Sequence, residues 1–327
     1  MDLKQRLRAL EAASGRRTLP DSGTTAVSAA HAAPHLPAVR AAIPAASGRS
    51  QPAADLLATG AERALAQRLG AVHMAPGLLF REVELAAAHR HGGQVLGEVC
   101  SIGEQALGVA LPPPASGWLF LDTETTGLAG GTGTLVFLFG AVQVDASGFR
   151  LRQWLLTRFG GEAAMLDAIR QAFGEVAMIV SFNGKSFDLP LLRTRMRLHA
   201  RALEERHLVH LDLLHPARSA FGARWPDVRL QTAEQRLCDY RRDDDLPGSE
   251  APLAFTRWLR HGEADGLVRV MQHHRDDVLS LVSLSVALAE AYRDPQRLGA
   301  DEGGIVRRLN RRGYRVREGQ RQLAFSP

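Results

Sequence analysis

Two acidic residues, Asp122 and Glu124, lie two positions apart where a short apolar strand is predicted to end. Side chains two apart on a strand point to the same face, so both carboxylates should project together. Their like charges repel, and loss of water raises the cost of holding them side by side. A divalent cation between them would remove that repulsion. The other interpretation is that the pair begins a solvated loop.

A second acidic group lies near the end of the sequence, on a helix predicted over residues 265–290. Asp277 shares an apolar stripe with Val270 and Leu281, and His273 lies four positions before Asp277 on the same face. An inward carboxylate needs a partner. Either a metal ion binds Asp277, or an arginine or His273 satisfies it.

A third acidic residue, Asp188, follows the buried strand predicted over residues 177–182. It precedes Leu189 and Pro190 at the start of a helical segment, which is typical of a helix N-cap. The roles of N-cap and metal ligand are compatible. Lys185, in the turn before Asp188, is either a phosphate contact or an ordinary loop lysine.

Three motifs carry a resemblance to a known family. They are Leu121-Asp122-Thr123-Glu124-Thr125-Thr126-Gly127, Phe182-Asn183-Gly184-Lys185-Ser186-Phe187-Asp188 and His273-His274-Arg275-Asp276-Asp277. In this order they resemble the exonuclease motifs of the DEDD superfamily, which has the ribonuclease-H-like fold. More narrowly, the chain resembles the YprB-type ribonuclease-H-like proteins of bacteria over about residues 78–290.

The resemblance implies a site for two Mg²⁺ or Mn²⁺ ions held by four carboxylates. The ligands would be Asp122, Glu124, Asp188 and Asp277, and hard cations prefer such oxygens. Two ions about 3.5–4 Å apart would flank a scissile phosphate. The implied activity is 3′→5′ exonucleolytic hydrolysis of DNA or RNA.

Other positions follow from the same resemblance. Thr125, Thr126 and Gly127 match residues that contact the terminal nucleotide in relatives. Asn183 supports the site, and both Asn183 and Lys185 are candidate substrate contacts. Gly130-Gly131-Thr132-Gly133 either allows close backbone approach or is a flexible loop. Asp212 is interpreted as structural, and Asp243-Asp244-Asp245 as a solvated loop.

The sequence departs from the family at the general base. Members with a histidine base carry it five positions before the last aspartate, where this chain has Gln272. Members with a tyrosine carry it four before, where this chain has His273. An imidazole there suits proton transfer near neutral pH. The alternative is a histidine that packs between helices.

The elements that must position these residues alternate along the chain. A strand at 118–122, a hairpin of 134–145 with 149–157, and strands at 177–182 and 208–214 are predicted. Helices are predicted at 162–173, 189–199, 230–238, 250–261 and 265–290. This order predicts an α/β fold, a ribonuclease-H-like mixed sheet flanked by helices.

Four regions are expected. Residues 1–55 form a short helix and a disordered Ala/Pro/Ser-rich linker, and residues 56–115 an accessory helix and small β-hairpin (Leu78 to Val99, turning at His91-Gly92-Gly93). Residues 116–292 form the nuclease domain, and residues 293–327 a basic C-terminal tail. The N-terminal helix is either a binding segment for a protein partner or frayed.

Composition narrows the class of protein. The net charge is +5, and 40 residues are basic although only Lys4 and Lys185 are lysines. Arginine pairs well with phosphate, so the excess favours a nucleic-acid partner, unless it reflects genome base composition. Two cysteines without CxxC spacing argue against a disulfide scaffold or a cysteine zinc site. No apolar run approaches a membrane span, so a cytoplasmic protein without membrane contact is expected.

The sequence therefore predicts a metal-dependent phosphodiesterase. The competing hypotheses are a nucleic-acid-binding module with weak or no catalysis, and a structure-specific endonuclease.

Overall fold

The computed structural model describes residues 58–104, 106–127, 133–205, 207–242, 245–317 and 324–326. The expected helix and linker of residues 1–55 lie outside this part of the chain. The strands are β1 (Val72–Ala75), β2 (Leu78–Leu85), β3 (Arg90–His91), β4 (Gln94–Val95), β5 (Trp118–Thr125), β6 (Val136–Asp145), β7 (Gly148–Leu156), β8 (Met178–Ser181), β9 (Val209–Asp212), β10 (Arg315–Arg317) and β11 (Ala324–Ser326). The α-helices are α1 (Gly60–Leu69), α2 (Glu162–Gly174), α3 (Asp188–Leu198), α4 (Leu214–Phe221), α5 (Leu230–Leu237), α6 (Ala251–His261), α7 (Asp265–Arg293) and α8 (Glu302–Arg311).

One mixed sheet of seven strands organises the molecule, in the order β1-β2-β7-β6-β5-β8-β9. The first five strands pair antiparallel, whereas β8 and β9 run parallel to β5. Parallel strands end at the same edge of a sheet, so the residues that follow β5, β8 and β9 meet there. The predicted ribonuclease-H-like mixed sheet is confirmed, as is the β6–β7 hairpin.

The expected hairpin of residues 78–99 is wrong in its pairing. Strand β2 pairs along its whole length with β7, from Leu78 opposite Leu156 to Leu85 opposite Phe149, and with β1 on its other side. Residues 72–85 therefore extend the main sheet. A smaller hairpin, β3–β4, does turn at Gly92 and Gly93. Its His91 is buried against Ser280 rather than solvated, with Nε2 2.8 Å from the serine hydroxyl.

Alternation along β5 feeds two hydrophobic cores, one on each face of the sheet. Leu119 and Leu121 belong to one core, and Trp118 and Phe120 to the other. The 29-residue helix α7 contributes to both, because its first half packs with the former and its second half with the latter. Burial of these side chains stabilises the fold. It also fixes the middle of α7, which carries Asp277, beside the end of β5.

A glycine lets α7 approach the sheet closely. Gly140 on β6 lies opposite Asp122, and a Cβ there would be 2.7 Å from Nδ1 of His274. The fully buried His274 donates from Nε2 to the backbone carbonyl of Asp122 at 3.0 Å, and its Nδ1 lies 3.3 Å from Nε2 of Gln153. This histidine is a packing group that joins α7 to the strand carrying the first carboxylates.

Gly140→Val is therefore expected to reduce the free energy of unfolding by about 1–3 kcal/mol, since overpacking forces a shift of the helix. The shift would also displace Asp277 from Asp122. Urea denaturation measures the first effect. Gly160→Ala is the matched control, because a Cβ at Gly160 meets nothing within 4 Å. Equal stability of the two variants would contradict the close-packing argument.

The region expected as a basic tail contains helix α8. Its Ile305 and Leu309 join the second core, and Gly304 lies against the backbone oxygen of Ser219 on α4. Both cysteines are unpaired, as the sequence predicts. Among the residues described, no helix combines the length and apolarity that crossing a membrane requires.

Candidate active site

Strand β5 carries the first two carboxylates. Asp122 lies opposite Gly140 and Glu124 opposite Leu138 in the β5–β6 register. Both are partly buried, and both lie on the strand face that also bears Trp118 and Phe120. The expectation that the pair projects together is met by the strand geometry. The end of β5 leads directly into the acidic cluster.

Asp188 stands at the start of α3 and is 8% exposed. Its carboxylate accepts a hydrogen bond from the hydroxyl of Thr123 on β5. The N-cap interpretation is wrong, because Phe187 takes the cap position and Asp188 lies in the first helical turn. Gly184 passes closely over Asp188, where a Cβ would lie 3.0 Å from Oδ2. The turn thus needs glycine to bring Asp188 towards β5.

Helix α7 supplies Asp277 and His273 from one face. Nε2 of His273 lies 3.2 Å from Oδ2 of Asp277 and 4.0 Å from Oε1 of Glu124. Nδ1 of His273 lies 2.6 Å from Oδ1 of Asp245, which is shorter than its 3.0 Å distance to Nη1 of Arg242. A carboxylate so close to Nδ1 accepts its proton, which leaves Nε2 facing the acidic cluster.

An arginine that the sequence analysis did not single out contacts the cluster from the loop after α5. Arg242 is 4% exposed in its side chain and donates from Nη2 to Oδ1 of Asp277 at 2.6 Å. It also forms a two-point ion pair with the fully buried Glu234, at 2.8 and 2.9 Å. The alternative interpretation, in which an arginine or His273 pairs with the carboxylate of Asp277, therefore also agrees with the structure.

The pKa values of the cluster are raised first by burial and then by repulsion between neighbouring carboxylates. Burial raises the pKa of Asp122 well above its usual value, and the charges of Asp277, Asp188 and Glu124 raise it further, whereas Arg242 lowers it. Burial, followed by the charges of Asp277 and Asp188, raises the pKa of Glu124 to about 8. Burial raises the pKa of Asp188 to about 6, against the hydrogen bond from Thr123. The structure therefore brings the four predicted carboxylates within range of one another.

These shifts predict that the metal-free protein loses stability as pH rises from about 6.5 to 8. In that window Glu124 holds its proton in the folded state and has lost it in the unfolded state, so folding binds more protons and its free energy becomes less favourable. Each such proton gives a slope of at most about 1.4 kcal/mol per pH unit. The histidines with lowered pKa values, among them His91 (about 3), His210 and His274 (both about 4), act with the opposite sign only below their unfolded value near 6.5.

Thermal unfolding in EDTA at several pH values measures this slope. Glu124→Gln should flatten it, because glutamine has no proton to release. A Tm that stays level or rises between pH 6.5 and 8 in the wild type would contradict the assignment.

The predicted substrate residues Thr125, Thr126 and Gly127 continue directly from Asp122 and Glu124 at the end of β5. The hydroxyl of Thr125 donates to the carbonyl of Gly127 at 3.0 Å, and Thr126 Oγ1 accepts from the backbone of Leu135 at 3.0 Å. The loop is thereby closed on itself, and space is open at Gly127. The following residues 128–132, which include part of the glycine-rich segment, lie outside the described chain.

Asp212 organises the turn that carries Asn183 and Lys185. Its two oxygens accept from the backbone N–H groups of Asn183 (2.7 Å), Lys185 (3.1 Å) and Leu214 (3.1 Å). Asn183 has φ = 69°, a left-handed conformation that asparagine tolerates. The structural interpretation of Asp212 agrees with these contacts. The side chain of Lys185 is exposed.

Sequence reasoning missed three residues here, namely Glu234, Arg242 and Asp245. Asp245 was interpreted as part of a solvated acidic run, yet it contacts His273 and lies 3.7 Å from Arg242; Asp243 and Asp244 lie outside the described residues. One signal was available, since a buried Asp277 needs a cationic partner. Nothing in the sequence indicates which of the many arginines provides it.

The donor set suits a hard divalent cation. Glu124, His273 and Asp277 each offer one atom, and these atoms lie within 4.8 Å of one another. Asp122 and Asp188 add carboxylates whose pKa values are raised, first by burial, and a bound cation would favour their charged forms. Oxygen donors of this kind fit Mg²⁺ or Mn²⁺. The residues therefore fit the metal that the sequence implies.

Comparison with known proteins agrees with the fold. Residues 119–289 match the family model described as RNase_H superfamily. A relative, "Uncharacterized protein YprB" of Bacillus subtilis (strain 168), is 35% identical over 221 residues, which are 65% of this chain and 53% of that protein. The chain thus spans about half the length of this relative.

Two of the similar solved structures share 15% sequence identity with this chain. A family B DNA polymerase from Pyrobaculum calidifontis matches with a TM-score of 0.41 and 15% identity, over 64% of this chain and 31% of that one. Exonuclease I from E. coli in complex with a dA16 oligonucleotide matches with a TM-score of 0.36 and 15% identity, over 56% and 45%. The matched family model spans β5 to α7, the part of the chain that builds the carboxylate cluster, and the chain therefore belongs to the RNase_H superfamily.

Proposed function

We propose that this protein is a metal-dependent nuclease that hydrolyses phosphodiester bonds of DNA or RNA as a 3′→5′ exonuclease. The observation that carries the proposal is the convergence of Asp122, Glu124, Asp188 and Asp277 at one end of β5. Repulsion between these carboxylates destabilises the folded protein, and a bound divalent cation offsets that repulsion. Membership in the RNase_H superfamily supports the same reading.

The four carboxylates would hold two ions of Mg²⁺ or Mn²⁺. Bound there, the metal supplies Lewis-acid stabilisation of charge on the phosphate oxygens. Thr125, Thr126, Gly127 and Asn183 would position the terminal nucleotide beside the cluster. Attack of water on phosphorus forms a new P–O bond as the P–O3′ bond breaks. The products are a nucleoside 5′-monophosphate and a strand shortened by one nucleotide.

His273 would accept the proton of the attacking water at Nε2. Asp245 holds the Nδ1–H, so the lone pair of Nε2 faces the carboxylates. A carboxylate partner orients the ring and stabilises the imidazolium that forms. This assigns Asp245 a positioning role that acts through His273.

His273→Ala is expected to lower kcat about 100-fold or more, because general-base catalysis contributes about 10²–10⁴. Asp245→Asn should lower kcat less, since the ring stays in place with a weaker partner. Rates with saturating labelled oligonucleotide measure both, and added imidazole should partly restore His273→Ala. A His273→Ala rate within twofold of wild type would make His273 a packing group.

The proposal is tested with purified protein and end-labelled single-stranded DNA and RNA, each with Mn²⁺, Mg²⁺ or EDTA. Stepwise release of mononucleotides from the 3′ end is expected only when Mn²⁺ or Mg²⁺ is present. Mid-length products would instead indicate a structure-specific endonuclease. Turnover that continues in EDTA would refute metal dependence.

The second candidate is a nucleic-acid-binding module with weak or no catalysis. The observation that favours it is the double engagement of Asp277, by Arg242 at one oxygen and His273 at the other. An arginine held there would compete with metal. Binding without turnover under every divalent metal would select this candidate.

A further inference from the structure

Helix α8 brings arginines to the turn that carries Lys185. Its apolar residues are fixed in the second core, and Arg308 on the same helix is only 8% exposed. Arg312, directly after the helix, is exposed. The pKa of Lys185 is lowered by burial first, and then by the positive charges of Arg312 and Arg308. The contacts agree, because Asp212 joins the backbone of Lys185 to the start of α4, and Gly304 of α8 packs against Ser219 of α4. Three cationic groups from distant parts of the chain therefore lie on neighbouring elements.

The negative charge nearest in its influence on these cations is that of Asp212, which raises the pKa of Lys185 and of Arg308. The two carboxylate oxygens of Asp212 accept hydrogen bonds from backbone N–H groups rather than from the side chains of these cations. Among the residues that the structure describes, Lys185, Arg308 and Arg312 form no ion pair within 4 Å. Burial of Arg308 is costly without a carboxylate, because the Tyr292 hydroxyl that hydrogen-bonds its guanidinium carries no charge.

Arg308 carries a second, independent observation. Its Nε is buried and has no hydrogen-bond partner within the described chain. Buried polar groups in native proteins are nearly always satisfied, so an orphaned guanidinium N–H indicates a ligand that accepts hydrogen bonds. Phosphate oxygens match the guanidinium in charge and geometry.

We propose that Lys185, Arg308 and Arg312 form a phosphate-binding surface that holds a backbone phosphate of a nucleic-acid strand away from the scissile linkage. The surface rests on the proposed function in taking nucleic acid as its ligand. It is adjacent to the carboxylates, because Lys185 lies in the turn that leads into Asp188, three residues later. Its role is to anchor the strand, and it takes no part in bond cleavage. The exposed His215 lies within electrostatic range of Lys185 and Arg308 and offers a ring N–H donor.

Binding without catalysis tests this surface. The probe is a fluorescein-labelled 20-nucleotide single strand, as DNA and as RNA, titrated by anisotropy in EDTA at several salt concentrations. Lys185→Gln/Arg312→Gln changes two exposed residues, so the fold is kept, and circular dichroism verifies this. Arg257→Gln is the matched control, because Arg257 is an exposed arginine on α6.

The double variant should raise Kd about 10-fold or more. It should also reduce the slope of log Kd against log salt by about 1.4, as loss of two contacts to a single strand predicts. Arg257→Gln should match the wild type in both quantities. Equal affinity and slope in all three proteins would overturn the surface, as would failure of the wild type to bind at micromolar concentration.

The result is separable from the proposed catalysis. If the surface binds as expected but no metal supports hydrolysis, the nuclease proposal fails and the surface stands. If hydrolysis occurs and the double variant binds like the wild type, only the surface fails. Millimolar inorganic phosphate should displace the labelled strand if the surface recognises phosphate. Strand binding that is unchanged both by added phosphate and by the double substitution would contradict the proposal.

Discussion

Asp122→Asn is expected to reduce metal-dependent hydrolysis at least about 1000-fold while making the metal-free protein more stable. Asparagine keeps the size of the side chain and removes a charge that burial, Asp277, Asp188 and Glu124 all disfavour. The lost activity follows from the lost metal ligand, and a charge removed at the transition state of phosphoryl transfer costs several kcal/mol. The gain in stability follows from relieved repulsion.

Two measurements test this pair of effects, single-turnover rates with Mn²⁺ and the Tm in EDTA at pH 8. Asp276→Asn is the matched control. Asp276 precedes Asp277 on α7, and its side chain interacts with Tyr240 and Arg275. It should retain activity. Full activity of Asp122→Asn would refute the site, and a lower Tm would refute the repulsion.

Arg242→Met is expected to lower the free energy of unfolding by about 3–5 kcal/mol, the usual loss when one partner of a buried ion pair is removed. Glu234 is fully buried, and its carboxylate depends on the two-point contact with Arg242 and a hydrogen bond from Ser280 at 2.6 Å. Methionine fills similar volume, so the lost charge rather than a cavity dominates. Urea unfolding in EDTA measures the change.

Adding Glu234→Gln to Arg242→Met should recover part of the loss, because no buried charge is then left unpaired at that position. Arg68→Met is the control for removing an ion pair at the surface, since Arg68 contacts the 90%-exposed Asp265. That change should cost about 0–1 kcal/mol. An Arg242→Met variant as stable as Arg68→Met would show that the buried network contributes little.

The strands, the shared face of Asp122 and Glu124 and the inward turn of Asp277 were predictable because they depend on local periodicity, whereas the grouping of Asp188 with them came from the resemblance of the three motifs to a known family. The two-residue repeat of a strand puts Asp122 and Glu124 on one face, and the helical stripe turns Asp277 inward and Asp276 away. The alternation of strands and helices gives the parallel edge where these residues meet. Each of these signals is written within a single element.

What the sequence could not predict depends on contacts between distant segments. The pairing of β2 with β7 requires partners about seventy residues apart, and an alternating strand fits a nearby hairpin equally well. Arg242 and Asp245 lie in a loop whose acidic run resembles a solvated segment, and only the folded loop puts them against α7. Likewise, α8 is polar and basic over most of its surface, so its two core residues gave little warning of how it packs.

The proposed activity depends most directly on metal binding by the four carboxylates. Anomalous diffraction from crystals soaked in Mn²⁺ tests this binding. Two anomalous peaks among Asp122, Glu124, Asp188 and Asp277 are expected, with Arg242 withdrawn from Oδ1 of Asp277. Data that show no peak at this position, and Arg242 still bonded to Asp277 as it is in the present structure at 2.6 Å, would contradict the account.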